Sequence, residues 1–341
     1  GISFLPEESD DLLTIRRLIK RGDTIIGETT RVIKQEKEYS RPDKGERVRI
    51  RIAIEVEKIS LDDVLDRVRV GGKITESNNE SVPHGSHHSF LIKIDQPFNL
   101  VKKKWTPLEK KLAKANDSKM TFVLVAIDTT DCGIGRLKGT HLHLLPNIYS
   151  GYSGKRYKTN FKIENYFEDI TKALSSIVKN NDSIIIFGPG ETRKKFGNFL
   201  EKSTLGKKCT KKIIEGIDSG GEDGIHLFTK SNSMQEIMSD SKLAKVSKII
   251  DRVMMLAAKT SKKFSMGLEE TKKANEFSAI DELVFSEKVI QDNDEQEIIN
   301  FLNDVEAKGG KLYSVDGSTD TGLRVSGLGG IVSLLRFSIE G

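Results

Sequence analysis

The sequence has few cysteines, prolines and aromatic residues, and it lacks a long apolar run. Two cysteines among 341 residues, Cys132 and Cys209, cannot staple a disulfide scaffold, which favours a reducing compartment. No apolar run approaches the roughly 18 residues that a membrane-spanning helix needs, and no segment of signal-peptide type opens the chain. We therefore expect a cytoplasmic protein that has no membrane partner.

The charge balance excludes wholesale disorder, yet it does not by itself indicate nucleic-acid binding. There are 55 Lys and Arg residues against 50 Asp and Glu residues, a formal net charge of +5, while 36% of the residues are hydrophobic. Disordered chains instead combine low hydrophobicity with a large net charge. The length predicts two or three domains, because single cores rarely grow past about 250–300 residues.

Basic residues are clustered in all three thirds of the chain. Each cluster alone fits either a solubilising surface or a contact with a polyanion, and together they favour a large polyanion over a small anionic ligand. The clusters are Arg16-Arg17 with Lys20-Arg21, Lys102 to Lys104, Lys155-Arg156 with Lys158, Arg193 to Lys195, Lys207-Lys208 with Lys211-Lys212, and Lys262-Lys263.

Residues 1–117 have the pattern of a small β-barrel domain that ends in a connector helix. Apolar and charged residues alternate over 46–57, which predicts a strand with one buried and one wet face. Thr106-Pro107-Leu108-Glu109 has the spacing of a capping box with proline in the first helical turn. Further predicted elements are a helix after Asp10, strands at Thr24 to Val32, 66–70 and 88–94, and a turn at Gly71-Gly72.

Strands alternate with helices in the rest of the chain, which predicts two α/β domains at 118–232 and 233–341. The stretch 215–233 is rich in Gly, Ser and Asp and is predicted to be a flexible insertion or linker rather than packed core. Strands are predicted at Phe122 to Ile127, Ile134 to Lys138, His141 to Leu145, Ile184 to Phe187, 281–285, 311–315 and 331–337, and helices at Tyr166 to Val178, Thr192 to Lys202, 241–258 and 295–308.

Gly188-Pro189-Gly190-Glu191 lies between a predicted strand and a predicted helix, where a phosphate loop would lie. A nucleotide-hydrolysing loop ends in Gly-Lys-Ser/Thr, whereas this sequence continues into Arg193-Lys194-Lys195. That difference argues against nucleotide hydrolysis. Two interpretations stay open, an ordinary strand-to-helix turn and an exposed docking loop with basic flanks.

Three histidines, His84, His87 and His88, fall in one predicted polar loop. Zinc sites need accompanying Cys or carboxylate ligands at set spacings, and none is evident here. Contact with RNA by stacking and hydrogen bonding is the other hypothesis for this loop. His141 and His143 share one strand face and are interpreted as structural.

The acidic pairs do not indicate a catalytic centre. A metal-dependent nuclease needs carboxylates that converge on cations, and the spacing of Asp62-Asp63, Asp10-Asp11 and Glu269-Glu270 does not demonstrate convergence. Serine or cysteine nucleophile motifs with their usual flanking residues are also missing. We assign no catalytic residue and leave the metal ligands unknown.

Several short motifs, read in order along the chain, carry a resemblance to a known family. They are Asp11-Leu12 through Ile19, Gly22-Asp23-Thr24, Arg47-Val48-Arg49, Phe98-Asn99-Leu100 with Lys103-Lys104-Trp105, Phe187-Gly188-Pro189-Gly190, Gly267-Leu268-Glu269-Glu270, Lys273-Ala274-Asn275-Glu276, Ala279 to Leu283, Ser326 to Ile331, and Leu335-Arg336-Phe337. On these motifs the chain resembles the archaeal Pelota family, a paralogue of the class-1 translation termination factors. One position departs from that family, because Glu191 follows the Pro-Gly pair where an aromatic residue is usual.

The resemblance implies a multidomain α+β fold, with an Sm-like β-barrel, a release-factor middle domain and a C-terminal domain like the kink-turn-binding ribosomal proteins. It also implies a monomer that enters the empty A site of a stalled ribosome with GTP-bound archaeal elongation factor 1 alpha. The twin-ATPase recycling factor then helps to split the subunits. Ribosomal RNA and mRNA would be partners, and no resident cofactor would be needed.

Peptide release is not expected, since the four Gly-Gly pairs are followed by Lys73, Glu222, Lys311 and Ile331 rather than by the Gln of release factors. The alternatives are a divalent-metal-dependent endoribonuclease acting through the first domain, and a generic RNA-binding adaptor. We expect RNA or ribosome contact through His84, His87, His88, Arg47 and Arg49, and contact with the GTPase or the tRNA corridor through Lys155, Arg156, Pro189, Gly190 and Arg193.

Overall fold

The computed structural model describes residues 1–33, 46–62, 66–114, 121–151, 162–179 and 182–339. These residues fall into two compact units, one of Gly1–Ala115 with Val289–Gly309 and one of Asn116–Lys288 with Gly310–Gly341. The predicted division into three domains differs from this one and stays a prediction. Within the described ranges, every helix is too short or too polar to cross a lipid bilayer.

The first unit contains one curled antiparallel sheet with helices packed on it. The elements from residues 1–115 are β1 (Ile2–Phe4), α1 (Ser9–Leu18), β2 (Thr24–Ile33), β3 (Glu46–Leu61), β4 (Arg67–Ser77), β5 (His87–Lys93), β6 (Phe98–Val101) and α2 (Pro107–Leu112). The strand order is β1-β6-β2-β3-β4-β5. Strands β2 and β5 are not neighbours in this order, yet a Cβ added to Gly27 would lie 3.2 Å from the Phe90 ring. The sheet therefore curls into the predicted barrel.

The predicted turn at Gly71-Gly72 is wrong, because both residues lie inside β4. Gly72 pairs with Val56, next to an irregularity in the register of β3 and β4. A Cβ at Gly72 would lie 1.9 Å from the carbonyl oxygen of Glu55. Glycine is present because the two strands approach too closely for a side chain, and not because the chain reverses there.

The middle part of the chain forms a mixed sheet with helices. Its elements are β7 (Thr121–Ile127), β8 (Asp131–Lys138), β9 (His141–Leu144), β10 (Ile148–Tyr149), α3 (Ile163–Ile177), β11 (Ser183–Phe187), α4 (Thr192–Lys202), α5 (Thr204–Lys208), β12 (Thr210–Ile213), α6 (Gly221–Lys230) and α7 (Asn232–Ile237). The order is β10-β8-β7-β11-β12, with β9 on β8. Strands β7, β11 and β12 are parallel, and every residue of β7 is buried.

The linker predicted at 215–233 is also wrong, since this stretch contains α6 and part of the core. Ile225 and Phe228 are fully buried, and the Phe228 ring stacks on Phe187 with centroids 4.6 Å apart. A Cβ at Gly133 on β8 would lie 2.3 Å from the backbone of Gly221. The glycines here allow the helix to pack closely on the strand, so their abundance is not a sign of flexibility.

The last part of the chain adds a four-stranded sheet. The elements in this part are α8 (Lys242–Ala258), β13 (Phe264–Met266), α9 (Leu268–Glu276), β14 (Ile280–Ser286), α10 (Lys288–Gln291), α11 (Glu295–Ala307), β15 (Lys311–Val315), α12 (Asp320–Gly327) and β16 (Ile331–Leu335). Of these, α11 and all but the first residue of α10 belong to the first unit. The order is β13-β16-β14-β15. The predicted fold class, a multidomain α+β chain with an N-terminal barrel and α/β parts after it, is confirmed.

Two basic residues of α1 lie in the interior of the first unit, where they contact α11. Arg16 and Arg17 are 2% and 7% exposed. The Arg17 guanidinium donates to Asn303 Oδ1 at 2.8 Å and to Glu306 Oε2 at 2.6 Å, and Arg16 forms an ion pair with Glu295. This part of the first basic cluster is structural and is not available to a polyanion.

A second buried ionic network surrounds the start of α2. The ammonium group of Lys102 lies 2.6 Å from Asp23 Oδ2 and 3.3 Å from Glu109 Oε1, and its side chain is 2% exposed. Glu109 also completes the predicted capping box with Thr106. Burial alone would raise the pKa of Glu109, but hydrogen bonds from Lys20 and Thr106 and the charge of Lys102 outweigh it and lower the pKa to about 2.

Candidate nucleic-acid interface

Basic side chains line the outer face of the first sheet. The alternation of β3 places Ile50, Ile52 and Ile54 in the core. Residues two apart on one strand are separated by about 7 Å, which yields a row of guanidinium groups on the other side. We call the exposed residues Arg47, Arg49, Arg51, Lys58, Arg69 and Lys73 the outer basic face.

Acids lie beside several residues of this outer basic face. Arg51 lies opposite Glu28 in the register of β2 and β3, and Arg49 forms an ion pair with the same carboxylate. Lys73 lies 3.5 Å from Glu57. Ion pairs this exposed contribute little to stability, so these cations can exchange their acidic partners for phosphate groups.

The three predicted loop histidines lie in different settings. His84 is in the connection before β5, whereas His87 and His88 are the first residues of that strand. His84 Nδ1 donates to the Thr75 carbonyl oxygen at 2.8 Å, and His87 Nε2 lies 3.0 Å from Glu57. Among the described residues they do not converge on a common metal position. Their contact with RNA stays a prediction.

His88 points into the barrel, while His84 and His87 are exposed. Its Nε2 lies 3.0 Å from the Thr29 hydroxyl on β2, and its ring packs edge-on against Phe90. Burial, with a smaller contribution from the charge of Arg31, lowers the pKa of His88 below its usual value. His88 is half-buried, and its contacts with Thr29 and Phe90 hold its ring against the sheet.

The acids proposed for metal chemistry have other partners in the structure. Asp62 lies 2.6 Å from Arg67 and 3.7 Å from Arg69, while Asp63 lies outside the described residues. Asp11 accepts backbone hydrogen bonds at the start of α1. A carboxylate neutralised by two guanidinium groups differs from the converging acids of a metal nuclease.

Two glycines shape the loop between β11 and α4. Gly188 has a φ of 133° and Gly190 a φ of 64°, values that favour glycine over other residues. A Cβ at Gly188 would lie 2.0 Å from the carbonyl oxygen of Ile127. Gly190 and Glu191 are exposed and Pro189 is half-buried, so the tip of the loop is accessible to a partner.

Arg193 holds this loop from inside. It is 9% exposed, it donates to the carbonyl oxygens of Gly188 and Gly190, and it lies 2.9 Å from Glu215. Hydrogen bonds from Arg193 and then Lys194 lower the pKa of Glu215. No sequence pattern points to Glu215, which comes after β12 and reaches the loop only through the fold.

The remaining predicted contacts have mixed outcomes. Lys155 and Arg156 lie outside the described residues. Pro189 and Gly190 lie together at the loop tip, and Arg193 lies below it, so any role of Arg193 towards a partner acts through the shape of the loop. His141 Nε2 lies 2.7 Å from Glu287 Oε1, which agrees with a structural interpretation of that histidine.

Two known protein families match this chain, one at each end. Residues 1–116 match the family described as the Pelota N-terminal domain. Residues 243–339 match the family described as eRF1 domain 3.

Relatives match the chain over nearly its full length. It is 65% identical to a "Protein pelota homolog" of Nitrosopumilus maritimus, over 99% of this chain and 97% of the relative. A homologue from Cenarchaeum symbiosum is 49% identical, over 99% and 97% of the two chains. The crystal structure of Thermoplasma acidophilum Pelota superposes with a TM-score of 0.65 at 21% identity, over 99% of this chain and 96% of that one, which supports the fold.

Proposed function

The chain belongs to the Pelota family, and from that premise we propose that it rescues stalled ribosomes by occupying the empty A site and promoting subunit separation. The full-length match to Pelota relatives carries this proposal. The outer basic face supports it, because contact with ribosomal RNA requires exposed cations that contact phosphates. The proposed place of action is the cytoplasm, and the proposal requires no resident metal or cofactor.

The proposal includes two protein partners. GTP-bound archaeal elongation factor 1 alpha delivers the chain to the ribosome, and the twin-ATPase recycling factor acts with it afterwards. The tip of the β11–α4 loop, Pro189 and Gly190, supports a contact in the GTPase or tRNA corridor because it is accessible and has a fixed shape. Mimicry of a delivered tRNA without peptide release is consistent with the residues that follow the Gly-Gly pairs, among which Gln is missing.

A ribosome-binding experiment tests this function. Archaeal ribosomes carrying peptidyl-tRNA and an empty A site are incubated with the purified chain, with and without the GTPase and a non-hydrolysable GTP analogue. We expect co-sedimentation that increases with the GTPase, and subunit splitting after addition of the recycling factor and ATP. Peptide should stay on the tRNA. A chain that fails to bind such ribosomes under any of these conditions would contradict the proposal.

A matched pair of variants tests the outer basic face. The triple change Arg47→Gln, Arg49→Gln and Arg51→Gln removes three charges from the face. A control, Lys103→Gln, Lys104→Gln and Lys110→Gln, removes the same charge from exposed positions elsewhere in the first unit. We expect at least about tenfold weaker ribosome binding for the first variant only, because each lost phosphate contact weakens binding. Equal losses in both variants would indicate a general charge effect.

A further inference from the structure

One segment of the second unit has a high net positive charge. Residues 191–215 contain eight basic and three acidic residues, a formal net charge of +5. The segment comprises α4, α5 and the edge strand β12. We call its exposed residues Lys195, Lys202, Lys207, Lys208 and Lys212 the lysine surface.

Packing makes these three elements contiguous. Lys195 and Lys202 are seven residues apart on α4, which places both on the same helical face, while Phe196 and Leu200 are buried on the other. A Cβ at Gly206 in α5 would lie 2.0 Å from the carbonyl oxygen of Leu200. The end of α4 and the short helix α5 are therefore in close contact.

The edge strand joins the same assembly. A Cβ at Gly197 of α4 would lie 2.3 Å from Ile213 Cδ1 of β12, so the helix lies directly against this strand. Lys212 is exposed on β12. Because Ile213 contacts α4 and Lys211 forms an ion pair with Glu201 of α4, the alternation of the strand directs Lys212 to the other face of the sheet. The lysine surface therefore extends around the sheet edge, with four lysines on the helices and Lys212 on the opposite face of the edge strand.

The acids of the segment are already engaged with other cations. Glu201 lies 3.1 Å from Lys211, and Glu215 lies 2.9 Å from Arg193 and 3.2 Å from Lys194. Glu191 lies 3.3 Å from Lys194. Within the part of the chain that the structure describes, none of the five ammonium groups of the lysine surface forms an ion pair. Their charge is therefore available to an external anion.

The chemistry of the lysine surface favours phosphate groups over bases. Phe196 is buried and Phe199 is half-buried, so the segment offers no well-exposed ring on which a base could stack. Lysines on β12 could simply protect a sheet edge from pairing with other chains. That explanation does not extend to the lysines of α4 and α5, which lie on helices.

We propose that the lysine surface binds the phosphate backbone of structured RNA without sequence preference. This inference deepens the proposed function and rests on it only for the identity of the RNA, which would be ribosomal. The surface would supply a second set of RNA contacts, separate from the outer basic face of the first unit. Lysine suits this role because its flexible, point-like charge can follow a backbone of varying geometry.

Binding of the full chain to a fluorescently labelled RNA duplex of about 20 base pairs tests the proposal. One variant carries Lys→Gln at all five positions of the lysine surface. Its control carries Lys245→Gln, Lys248→Gln, Lys259→Gln, Lys262→Gln and Lys273→Gln, which are exposed lysines of the same unit. Each variant loses the same formal charge. Thermal unfolding verifies that both are folded.

We expect the lysine-surface variant to bind the duplex at least about tenfold more weakly than the unmodified chain near 0.1 M salt, with a salt slope shallower by about 3 to 4. The control variant should change affinity less than threefold. Equal losses in both variants, or no loss in the first, would overturn the proposal. Displacement of the duplex by poly-glutamate more effectively than by unlabelled duplex would also overturn it, in favour of an acidic protein.

Ribosome binding of the same proteins separates the two proposals. If the unmodified chain binds ribosomes and the lysine-surface variant binds the duplex normally, the proposal for the lysine surface is overturned and the proposed function is supported. If the unmodified chain fails to bind ribosomes and the lysine-surface variant binds the duplex more weakly, the proposed function is overturned and RNA binding by the lysine surface is supported.

Discussion

Two groups of basic residues look alike in sequence and differ in the structure. In the first unit, Arg16, Arg17 and Lys102 are buried and have acidic partners. In the second unit, the lysine surface is exposed and makes no ion pair with the described residues. Both groups come from short runs of basic residues in the same chain.

The difference shows that the location of the acids decides what a basic cluster does. The partners of Arg17 are about 290 positions away, at Asn303 and Glu306, so no local pattern reveals them. A buried cation without its partner is costly, and a buried pair is therefore part of the fold. An exposed lysine without a partner contributes little to stability and is available for binding.

The largest effect should come from Arg17→Met. This change keeps the apolar stem but removes the donor to Asn303 and leaves Glu306 with only the exposed Lys111 as a partner. We expect the free energy of unfolding to fall by about 3–4 kcal/mol. Chemical denaturation monitored by circular dichroism measures it. The neighbouring Arg21→Met, at an exposed position, serves as the control and should cost less than about 0.5 kcal/mol. Similar costs for the two variants would remove the distinction between buried and exposed clusters.

Acid should weaken the first unit through Glu109. The pKa of Glu109 is about 2 in the folded chain against an ordinary 4.5, so the unfolded state binds more protons at low pH. The stabilisation is complete above about pH 5, and about 3 kcal/mol of it is lost as the pH falls towards 2. Between pH 5 and 3, the free energy of unfolding from denaturation curves should fall less steeply for Glu109→Gln than for the unmodified chain. Parallel pH profiles for both proteins would contradict this assignment.

An intermediate effect is expected for Arg193→Met, because Arg193 is buried while its partner Glu215 is exposed. Loss of the guanidinium leaves the Gly188 and Gly190 carbonyl oxygens without this donor, at a cost of about 1–3 kcal/mol. Hydrogen exchange of the loop amides should accelerate as well. Lys194→Met, which removes an exposed charge from the same helix, is the control, and an equal acceleration there would contradict a specific role for Arg193.

The smallest effect on stability should come from the lysine surface itself. Lys207→Gln combined with Lys212→Gln should change the free energy of unfolding by less than about 0.5 kcal/mol, since both residues are exposed. The same denaturation measurement applies. A loss above about 1 kcal/mol would show that these lysines help to hold α5 and β12 together, and their availability for binding would then be in doubt.

Local patterns predicted most of the elements. The alternation over 46–57 identified β3, and the capping box identified the start of α2 at Thr106. The two clear errors, at Gly71-Gly72 and at 215–233, share one cause. In both places glycine allows close packing of backbone segments that are distant in sequence, and composition alone cannot distinguish this from a turn or a linker.

The candidate site was less predictable than the fold. Arg47 and Arg49 lie on an exposed face as expected, because a period of two fixes the face of a strand. His88 was expected in a loop and is instead a half-buried residue of β5, since its partners Thr29 and Phe90 come from another strand and from farther along its own.

The sequence by itself determined the family, the order of the elements and the run of basic residues between Glu191 and Glu215, because these depend on residue identity and short spacing. Only the tertiary structure decided which cations are buried against acids and which face solvent. The physical reason is that the energy of a charge depends on burial and on partners brought from distant parts of the chain.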